Sequence, residues 1–436
     1  MATSVAPAGP PRRTYRWAAV LVALGEFVDG YDLIVMGAAL LFLQPEFHLT
    51  PAVTGLLGAA AFLGAALGLL IFGPVTDRLG RRTIFVVNLI IFVGFAVLSA
   101  LITNVVELFL VRFFIGLAVG MDIPPSTAFL AEIAPPEQRG RFLGILPNVL
   151  WVLGFITADL VGLAFYGSGS TAWRWMFGLA AVPALVVLLG RQALPESPRW
   201  LVQRGDLEGA REAAMRLGIP MPPVTDVRQP TRYRDLFSRA YRRRTVVMAA
   251  VFGLNCLAGP ITTLATPYIL RMGGLLSVQS SILFSLAVYV VDLLGVFTGF
   301  MLIDRWPRRR LAYASVGGSG ALAVVMGLIG FHAGPLLIVL YLLLAYTLWS
   351  GSATLVWVWG SELFPTRLRA TGQGFTNAMC RLMIALNIYL VPVGIAALGV
   401  QNTIIAFALP LFAMVALIAT HPMFETRGRM LEDISG

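Results

Sequence analysis

The sequence predicts an all-α integral membrane protein, with twelve transmembrane helices in two pseudo-symmetric six-helix bundles. Three observations predict this fold class. Hydrophobic residues make up 58% of the 436 positions and charged residues only 12%, whereas a soluble domain carries roughly 25% charged residues. The apolar residues form long continuous runs, which favours helices over the alternating strands of a barrel. Short charged signatures from the first half also recur, in the same order, in the second half.

The apolar runs divide the chain into twelve predicted spans, each close to the roughly 20 residues that cross a bilayer. We number these spans in chain order. They cover residues 17–42, 53–75, 83–103, 107–131, 142–166, 172–194, 245–270, 277–303, 311–332, 335–361, 370–398 and 402–420.

Three charged signatures are repeated at an offset of 227 to 230 residues. Two related halves within a membrane protein are typical of a secondary transporter, which binds its substrate between the repeats. The signatures are DRLGRR at 77–82 with DRWPRR at 304–309, the pairs Glu132/Arg139 and Glu362/Arg369, and PESPRWL at 195–201 with the degraded FETRGRML at 424–431.

The arginines indicate how the chain is oriented. All 32 basic residues are arginine, and the twelve spans assign most of them to one side of the membrane. Only Arg174 and Arg271 lie near the other side. The positive-inside rule therefore predicts that both termini and the central segment are cytoplasmic. We expect a monomer in the inner (plasma) membrane that contacts the lipid bilayer and a small-molecule substrate, and no nucleic acid.

The same pattern defines five regions. Within the linker, Asp206 is a suitable N-cap for a short helix that ends at Leu217, and a second short helix is expected at about 232–243. The regions are an N-terminal tail at 1–16, a first bundle at 17–194, a cytoplasmic linker at 195–243, a second bundle at 244–420 and a C-terminal tail at 421–436.

No residue pattern in the chain predicts an enzyme. The three histidines lie at span ends, and neither a metal-ligand pattern nor a P-loop occurs, so we expect no metal and no cofactor other than a proton as coupling ion. Cys256 and Cys380 both fall in apolar runs, which argues against a disulfide framework.

The charged signatures resemble those of the major facilitator superfamily, and within it the sugar-porter-like branch. The resemblance extends over essentially the whole chain and implies alternating access. It also implies salt-bridge networks that close the cytoplasmic face. Asp77 would bind a neighbouring helix N-terminus or an arginine there, and Gly80 would permit a tight turn. The implied gate residues are Asp77, Arg78, Arg82, Glu132, Arg139, Glu196, Arg199, Asp304, Glu362, Arg369 and Glu425.

Charged residues inside the spans are the candidates for coupling, because each costs at least roughly 2.5–3.5 kcal/mol at the centre of a helix. Gly30-Tyr31-Asp32 resembles the first-helix motif of proton-coupled sugar porters, in which the aspartate pairs with an arginine of the fourth helix. Arg112 matches that partner. A neutral Asp32 would release Arg112 and an ionised one would hold it; the alternative is a permanently ionised structural pair.

Two further aspartates lie in motifs of other branches. The longer sequence Asp29-Gly30-Tyr31-Asp32 resembles aromatic-acid and organic-acid proton symporters. Gly120-Met121-Asp122-Ile123-Pro124 resembles the fourth-helix motif of phosphate–proton symporters. Asp29 and Asp122 are therefore candidates for proton coupling, and Asp122 is also a candidate for a substrate contact or a structural role.

Arg381 in span eleven is the main candidate for binding substrate. Its guanidinium is suited to a carboxylate, although a salt bridge to Asp292 is an alternative. Sugar porters line their pocket with amides, whereas this chain has Phe155 in place of a glutamine and only Asn255 in span seven. The candidate substrate contacts are Arg381, Tyr31, Phe155, Asn255, Tyr289, Trp357, Gln373 and Asn377.

These features favour a proton symporter for a small organic anion, such as an aromatic or sugar acid. A sugar or polyol proton symporter is the first alternative. A drug or organic-cation exporter that uses the buried acids is the second, and a transporter-like sensor that binds without transport is the third.

Overall fold

The computed structural model describes residues 14–134, 145–223, 233–274, 276–303, 305–330, 334–364 and 368–426. Within these ranges the regular structure is entirely helical, without strands. Each of the twelve predicted spans corresponds to a helix or to consecutive helical segments, so the predicted all-α architecture is confirmed.

The first six spans form one bundle. Span six is divided into two short helices around residues 179–180, while the preceding five are each a single helix. In order, their bounds are Thr14–Glu46, Pro51–Leu79, Arg81–Leu101, Val105–Ile133, Leu146–Ala164, and Ala172–Gly178 with Ala181–Gln192.

The second bundle contains more interruptions than the first. Spans nine and ten each contain a π-helical turn, and Gly399, with φ of 78°, separates spans eleven and twelve. The helices are Arg242–Ala258 with Thr266–Met272 for span seven, Val278–Ile303 for span eight, Arg308–Ala312, Tyr313–Gly317 and Gly318–Ile329 for span nine, Pro335–Leu348, Trp349–Ala353 and Thr354–Glu362 for span ten, and Arg369–Thr420 for spans eleven and twelve.

Hydropathy supports the membrane assignment. Within the described residues, seven helical stretches are long and apolar enough to cross a membrane, and one of them, Thr371–Thr420, contains both spans eleven and twelve. The protein is therefore a multi-pass membrane protein.

The linker contains helices at both predicted positions, but the second is shorter than predicted. Leu207–Leu217 is helical, Asp206 accepts the Gly209 amide at 2.8 Å, and Gly218 ends the helix in the left-handed region. The predicted length of the second helix is wrong. Within 233–243 the helix covers only Tyr233–Leu236, and span seven already begins at Arg242 after an intervening turn.

The two bundles contact each other closely in the halves predicted to face outward. A Cβ atom at Gly37 in span one would lie 2.2 Å from the backbone oxygen of Leu264, which follows the first helix of span seven. A Cβ at Gly55 in span two would lie 2.5 Å from the backbone oxygen of Tyr389 in span eleven. Glycine at these two positions therefore allows the backbones of opposite bundles to touch.

A disulfide joins Cys256 in span seven to Cys380 in span eleven, with 5.3 Å between their Cα atoms. The expectation that these cysteines would stay unpaired is wrong. They are 124 positions apart, so the sequence does not indicate their pairing. Tertiary packing of spans seven and eleven brings the two apolar helix faces, and with them the two thiols, within bonding distance.

Candidate functional site

Asp32 and Arg112 form a buried ion pair inside the first bundle. Arg112 Nη1 lies 2.7 Å from Asp32 Oδ1, and Arg112 Nη2 donates to the Asp32 backbone oxygen, also at 2.7 Å. Both side chains are 1% exposed. The Asp32 Oδ2 atom is buried without a hydrogen-bond donor among the described residues. The predicted pairing is thus present, and one carboxylate oxygen remains available to a proton.

Asp122 belongs to a second buried ion pair, with Arg191 of span six. The two guanidinium nitrogens lie 2.5 and 3.0 Å from the two carboxylate oxygens. Asn88 and Ser126 also donate to Asp122, at 2.8 and 3.1 Å. Arg191 further donates to the backbone oxygen of Val22 in span one at 2.6 Å. Both oxygens of Asp122 are therefore fully engaged.

Sequence reasoning missed Arg191. It lies at the end of an apolar run next to the arginine-rich linker, so it was grouped with the cytoplasmic arginines. The available signal was that the predicted span six, 172–194, already contains Arg191; in the structure the helix extends to Gln192. The side chain is 0% exposed, and its guanidinium lies over the Phe85 ring at 4.6 Å.

Arg381 lies at the interface of the two bundles. Its guanidinium is 5.1 Å from the centre of the Trp151 ring in span five, and its Nη1 atom is buried without an acceptor among the described residues. Glu26 and Asp29 of span one are close enough for their charges to act on it. No ion pair between Arg381 and Asp292 is present in the described structure.

Aromatic side chains surround this region. Phe155 packs edge-on against Trp151, with ring centres 5.6 Å apart, and against Tyr289 of the second bundle, at 5.4 Å. The indole nitrogen of Trp151, which sequence reasoning did not single out, is buried without an acceptor in the described residues. Tyr31 is already engaged, because its hydroxyl donates to the Met176 backbone oxygen at 2.8 Å.

The predicted amides lie at different depths. Asn255 neighbours the disulfide, and its Oδ1 atom is buried without a donor among the described residues. Gln373 and Asn377 lie near the start of span eleven, and the Asn377 amide donates to the Gln373 backbone oxygen at 3.0 Å. Trp357 lies in the helix Thr354–Glu362, and its side chain is outside the described structure.

A further contact crosses the bundle interface. The hydroxyl of Ser285 in span eight donates to Oδ2 of Asp159 in span five, and both residues are fully buried. Tyr289 and Asp292 follow Ser285 along span eight and are also fully buried. Sequence reasoning did not anticipate the contact between Asp159 and Ser285.

The cytoplasmic end of the first bundle is joined by the predicted signatures. The Glu196 carboxylate accepts hydrogen bonds from the backbone amides of Arg81 and Arg82, at 2.9 and 3.1 Å. These bonds cap the N-terminus of span three. Glu132 lies 3.4 Å from the Arg81 guanidinium and also accepts a hydrogen bond from Ser197. Of the two partners expected for Asp77, the N-terminus of span three is bound by Glu196 instead, whereas an arginine, Arg81, does lie near the Asp77 carboxylate.

The cytoplasmic end of the second bundle repeats this arrangement. The Glu425 carboxylate accepts hydrogen bonds from the backbone amides of Arg308 and Arg309, at 3.0 and 3.2 Å. These bonds cap the N-terminus of span nine. Glu362 lies 3.5 Å from the Arg308 guanidinium and accepts a hydrogen bond from Thr426. The degraded third signature therefore keeps the geometry of the intact one.

The other predicted gate residues contribute less to the described network. Asp77 is 75% exposed and lies 3.6 Å from Arg81. The Arg82 guanidinium donates to the Gln192 backbone oxygen at 3.0 Å, and the Arg78 backbone oxygen accepts from Arg204. The remaining predictions are located as follows: Arg199 lies in the short helix Pro198–Gln203, Arg369 begins span eleven with its side chain undescribed, and Arg139 and Asp304 lie outside the described residues.

Comparison with known proteins identifies the family. The family model "Sugar (and other) transporter" matches residues 18–436. The putative metabolite transport protein YaaU of Escherichia coli is 32% identical over 415 residues, covering 94% of this chain and 92% of that protein. The arabinose–proton symporter of Bacillus subtilis is 28% identical over 466 residues, covering 99% and 98%.

A solved structure has the same fold. The partially occluded inward-open conformation of the xylose transporter XylE from E. coli superposes with a TM-score of 0.81 at 20% identity, covering 94% of this chain and 98% of that one. The charged signatures, the two six-helix bundles and the family match agree with one another. This chain is a membrane transporter and not an enzyme, and it belongs to the sugar transporter family of the major facilitator superfamily.

Proposed function

We propose that this protein is a proton-coupled symporter for a sugar or polyol. The observation that carries the proposal is the buried Asp32–Arg112 pair, because an aspartate in the membrane interior that keeps one oxygen free is suited to bind a coupling proton. The curated relatives, which include an arabinose–proton symporter, favour the sugar or polyol alternative over the organic anion favoured by sequence alone.

Coupling follows from the geometry of this pair. While Asp32 is ionised, Arg112 is bound both to the carboxylate and to the backbone oxygen of the same residue. A proton on Asp32 removes the charge attraction and leaves Arg112 with the backbone bond. The Arg112 guanidinium also lies 5.1 Å from the centre of the Phe177 ring in span six. A change in its position would therefore alter contacts among spans one, four and six.

The two other acids predicted for coupling have different surroundings. Asp122 has a bidentate arginine and two further donors, which supports a structural role in joining spans three, four and six. Asp29 has one buried oxygen without a donor among the described residues, and the charges of Glu26, Asp122 and Arg381 act on it. We infer that Asp29 adjusts the charge around Arg381, where we place the solute.

We call the solute region the group formed by Trp151, Phe155 and Tyr289, whose rings pack in a row, by Arg381, which lies over the Trp151 ring, and by Asn255, which is linked to Arg381 through the neighbouring disulfide. Aromatic rings offer flat apolar faces to a sugar ring, and the unpartnered indole, amide and guanidinium atoms offer hydrogen bonds to its hydroxyls. Buried groups without partners are costly, so a solute that pairs them would be bound preferentially.

A sugar acid is the second candidate. The specific observation that favours it is Arg381, whose Nη1 atom is buried without an acceptor in the described residues. A carboxylate would accept a charge-assisted hydrogen bond from this atom, while hydroxyls of the same solute could reach Asn255 and Trp151.

Reconstituted protein tests the proposal directly. Thermal unfolding should be measured with neutral pentoses, hexoses and polyols, with aldonic and uronic acids, and with aromatic acids and organic cations. A ligand of the native state raises the apparent stability by mass action. Solutes that stabilise should then accumulate in proteoliposomes under an inward proton gradient. Accumulation of a neutral sugar supports the proposal; accumulation of the acids alone supports the second candidate; and stabilisation without transport contradicts both.

A further inference from the structure

Span eight carries a buried polar stripe that the proposed coupling pair does not use. Ser281, Ser285, Tyr289 and Asp292 are spaced by four, four and three residues, so they lie along one face of the helix. All four side chains are 0% exposed. Most of the other residues in this helix are apolar. A continuous polar line in such a helix indicates a function beyond packing.

The stripe runs from the predicted outer face to the middle of the membrane. At 1.5 Å per residue, Asp292 lies about 21 Å from the start of the helix at Val278 and about 16 Å from its end at Ile303. Ser281 lies within the first turn. A group that enters from outside would therefore meet the two serines and the tyrosine before it reached Asp292.

Asp292 ends the stripe without any polar partner in the described structure. Both of its carboxylate oxygens are buried and accept no hydrogen bond from a described residue. An isolated carboxylate in such surroundings is strongly disfavoured, so this environment favours a protonated Asp292. Ser281, at the other end of the stripe, also lacks a partner: its hydroxyl is buried without a hydrogen bond to any described residue.

The groups around Asp292 are acidic or neutral. Asp159 of span five, in the opposite bundle, accepts a hydrogen bond from the Ser285 hydroxyl and is close enough to Tyr289 for an electrostatic interaction. Tyr341 of span ten is close enough to Asp292 for the same kind of interaction. Tyr341 itself donates to the Ile261 backbone oxygen at 2.5 Å. No described arginine forms an ion pair with Asp292. This differs from Asp32, which faces Arg112, so the two aspartates would respond to a proton independently.

The outer part of the stripe also depends on the contact between bundles. Asp159 belongs to the first bundle and Ser285 to the second, so opening of the outer face would separate them and expose the stripe to water. Closing would isolate Asp292 again. Access of a proton to Asp292 would therefore alternate with the conformational cycle.

We propose that Asp292 is a second proton-binding site, reached from the outer face along Ser281, Ser285 and Tyr289. This inference rests on the proposed proton symport and adds to it a stoichiometry of two protons per solute, one on Asp32 and one on Asp292.

The accumulation ratio at equilibrium measures this stoichiometry. With the membrane potential clamped at zero, each coupled proton multiplies the solute ratio by roughly ten per unit of pH difference. Wild-type protein in proteoliposomes should therefore accumulate a transported sugar roughly hundredfold per pH unit. Asp292→Asn should reduce this to roughly tenfold, and Asp292→Glu should retain the hundredfold ratio.

The serines provide a second test that does not alter Asp292. Ser281→Ala and Ser285→Ala should slow proton uptake severalfold while the final accumulation ratio stays the same. Ser280→Ala is the matched control, because Ser280 lies next to the stripe but accepts a hydrogen bond from Ser277 in an exposed position. Equal rates in all three variants would overturn the proposed path.

Other outcomes also decide the inference. A wild-type ratio of roughly tenfold per pH unit would overturn the second proton and leave the proposed symport intact. A ratio that does not respond to pH would overturn both. Accumulation driven by a sodium gradient at constant pH, and lost in Asp292→Asn, would make Asp292 a sodium ligand and contradict the assignment to a proton.

Discussion

At the cytoplasmic end, spans three and nine begin in the same way. Each has its first amides bound by a glutamate from a distant signature, Glu196 in one bundle and Glu425 in the other. In the membrane interior the bundles differ. The first bundle pairs Asp32 with Arg112 and Asp122 with Arg191, whereas the second bundle leaves both Asp292 and Arg381 without an ion-pair partner among the described residues.

This difference separates what the two halves share from what each does. The shared cytoplasmic caps hold a helix N-terminus within each bundle. Paired charges inside the first bundle are neutralised by the protein itself, so they can respond only to an added proton. The charged groups of the second bundle that lack an ion-pair partner require something from outside the protein, which we propose to be a proton at Asp292 and a solute at Arg381.

The largest effect is expected from Asp32→Asn. The variant cannot exchange a proton at this position, so pH-driven accumulation should be abolished. Arg112 keeps its bond to the backbone oxygen, so exchange of preloaded solute across the membrane should continue. Uptake under an imposed proton gradient, measured beside counterflow exchange, checks this. Continued accumulation against a gradient would show that coupling resides elsewhere.

A large loss of stability is expected when the interior pair of the first bundle is broken. Arg191→Leu leaves the Asp122 carboxylate buried and unpaired, which should cost about 3–5 kcal/mol. The double variant Asp122→Leu/Arg191→Leu should lose less, because no uncompensated charge remains. Thermal unfolding in detergent measures the stability of both variants. Asp77→Asn is the control, and its stability should change little because the Asp77 carboxylate is 75% exposed. If the double variant is as unstable as Arg191→Leu, the pair's role is packing rather than charge.

A moderate and selective effect is expected at Arg381. Arg381→Ala should lower the affinity for a sugar acid by about 1.5–3 kcal/mol, roughly tenfold or more. Arg381→Lys should recover only part of this, because a point charge does not reproduce the planar guanidinium. Binding of the acid and of its neutral analogue should be compared by calorimetry. Equal losses for both ligands would assign Arg381 a structural role in place of an anion contact.

The smallest effects are expected at the repeated caps. Glu196→Gln and Glu425→Gln each weaken the binding of two helix-terminal amides, and each should cost about 1 kcal/mol. Similar values, with increased accessibility of cytoplasmic cysteine probes in both variants, would support equivalent gates. A loss confined to one variant would show that the geometric repeat is not an energetic one.

The sequence allowed the architecture to be predicted because its evidence is local or repeated. Apolar runs mark the spans, and the recurrence of Asp77 to Arg82 as 304–309 marks the halves. Asp32 and Arg112 were predicted through a motif resemblance. By contrast, Arg191 pairs with Asp122 across 69 positions and Cys256 bonds Cys380 across 124. Such contacts depend on which helix faces meet, and neither composition nor spacing indicates that.

Because the bond between Cys256 and Cys380 ties span seven to span eleven, these two helices form a fixed reference frame within the moving molecule. A pair of spectroscopic labels on them should report a constant distance throughout the transport cycle. A label on either one and another on the first bundle would report only the movement between bundles. Since both native thiols are consumed by the bond and the chain has no others, such labels can be introduced without first removing the natural cysteines.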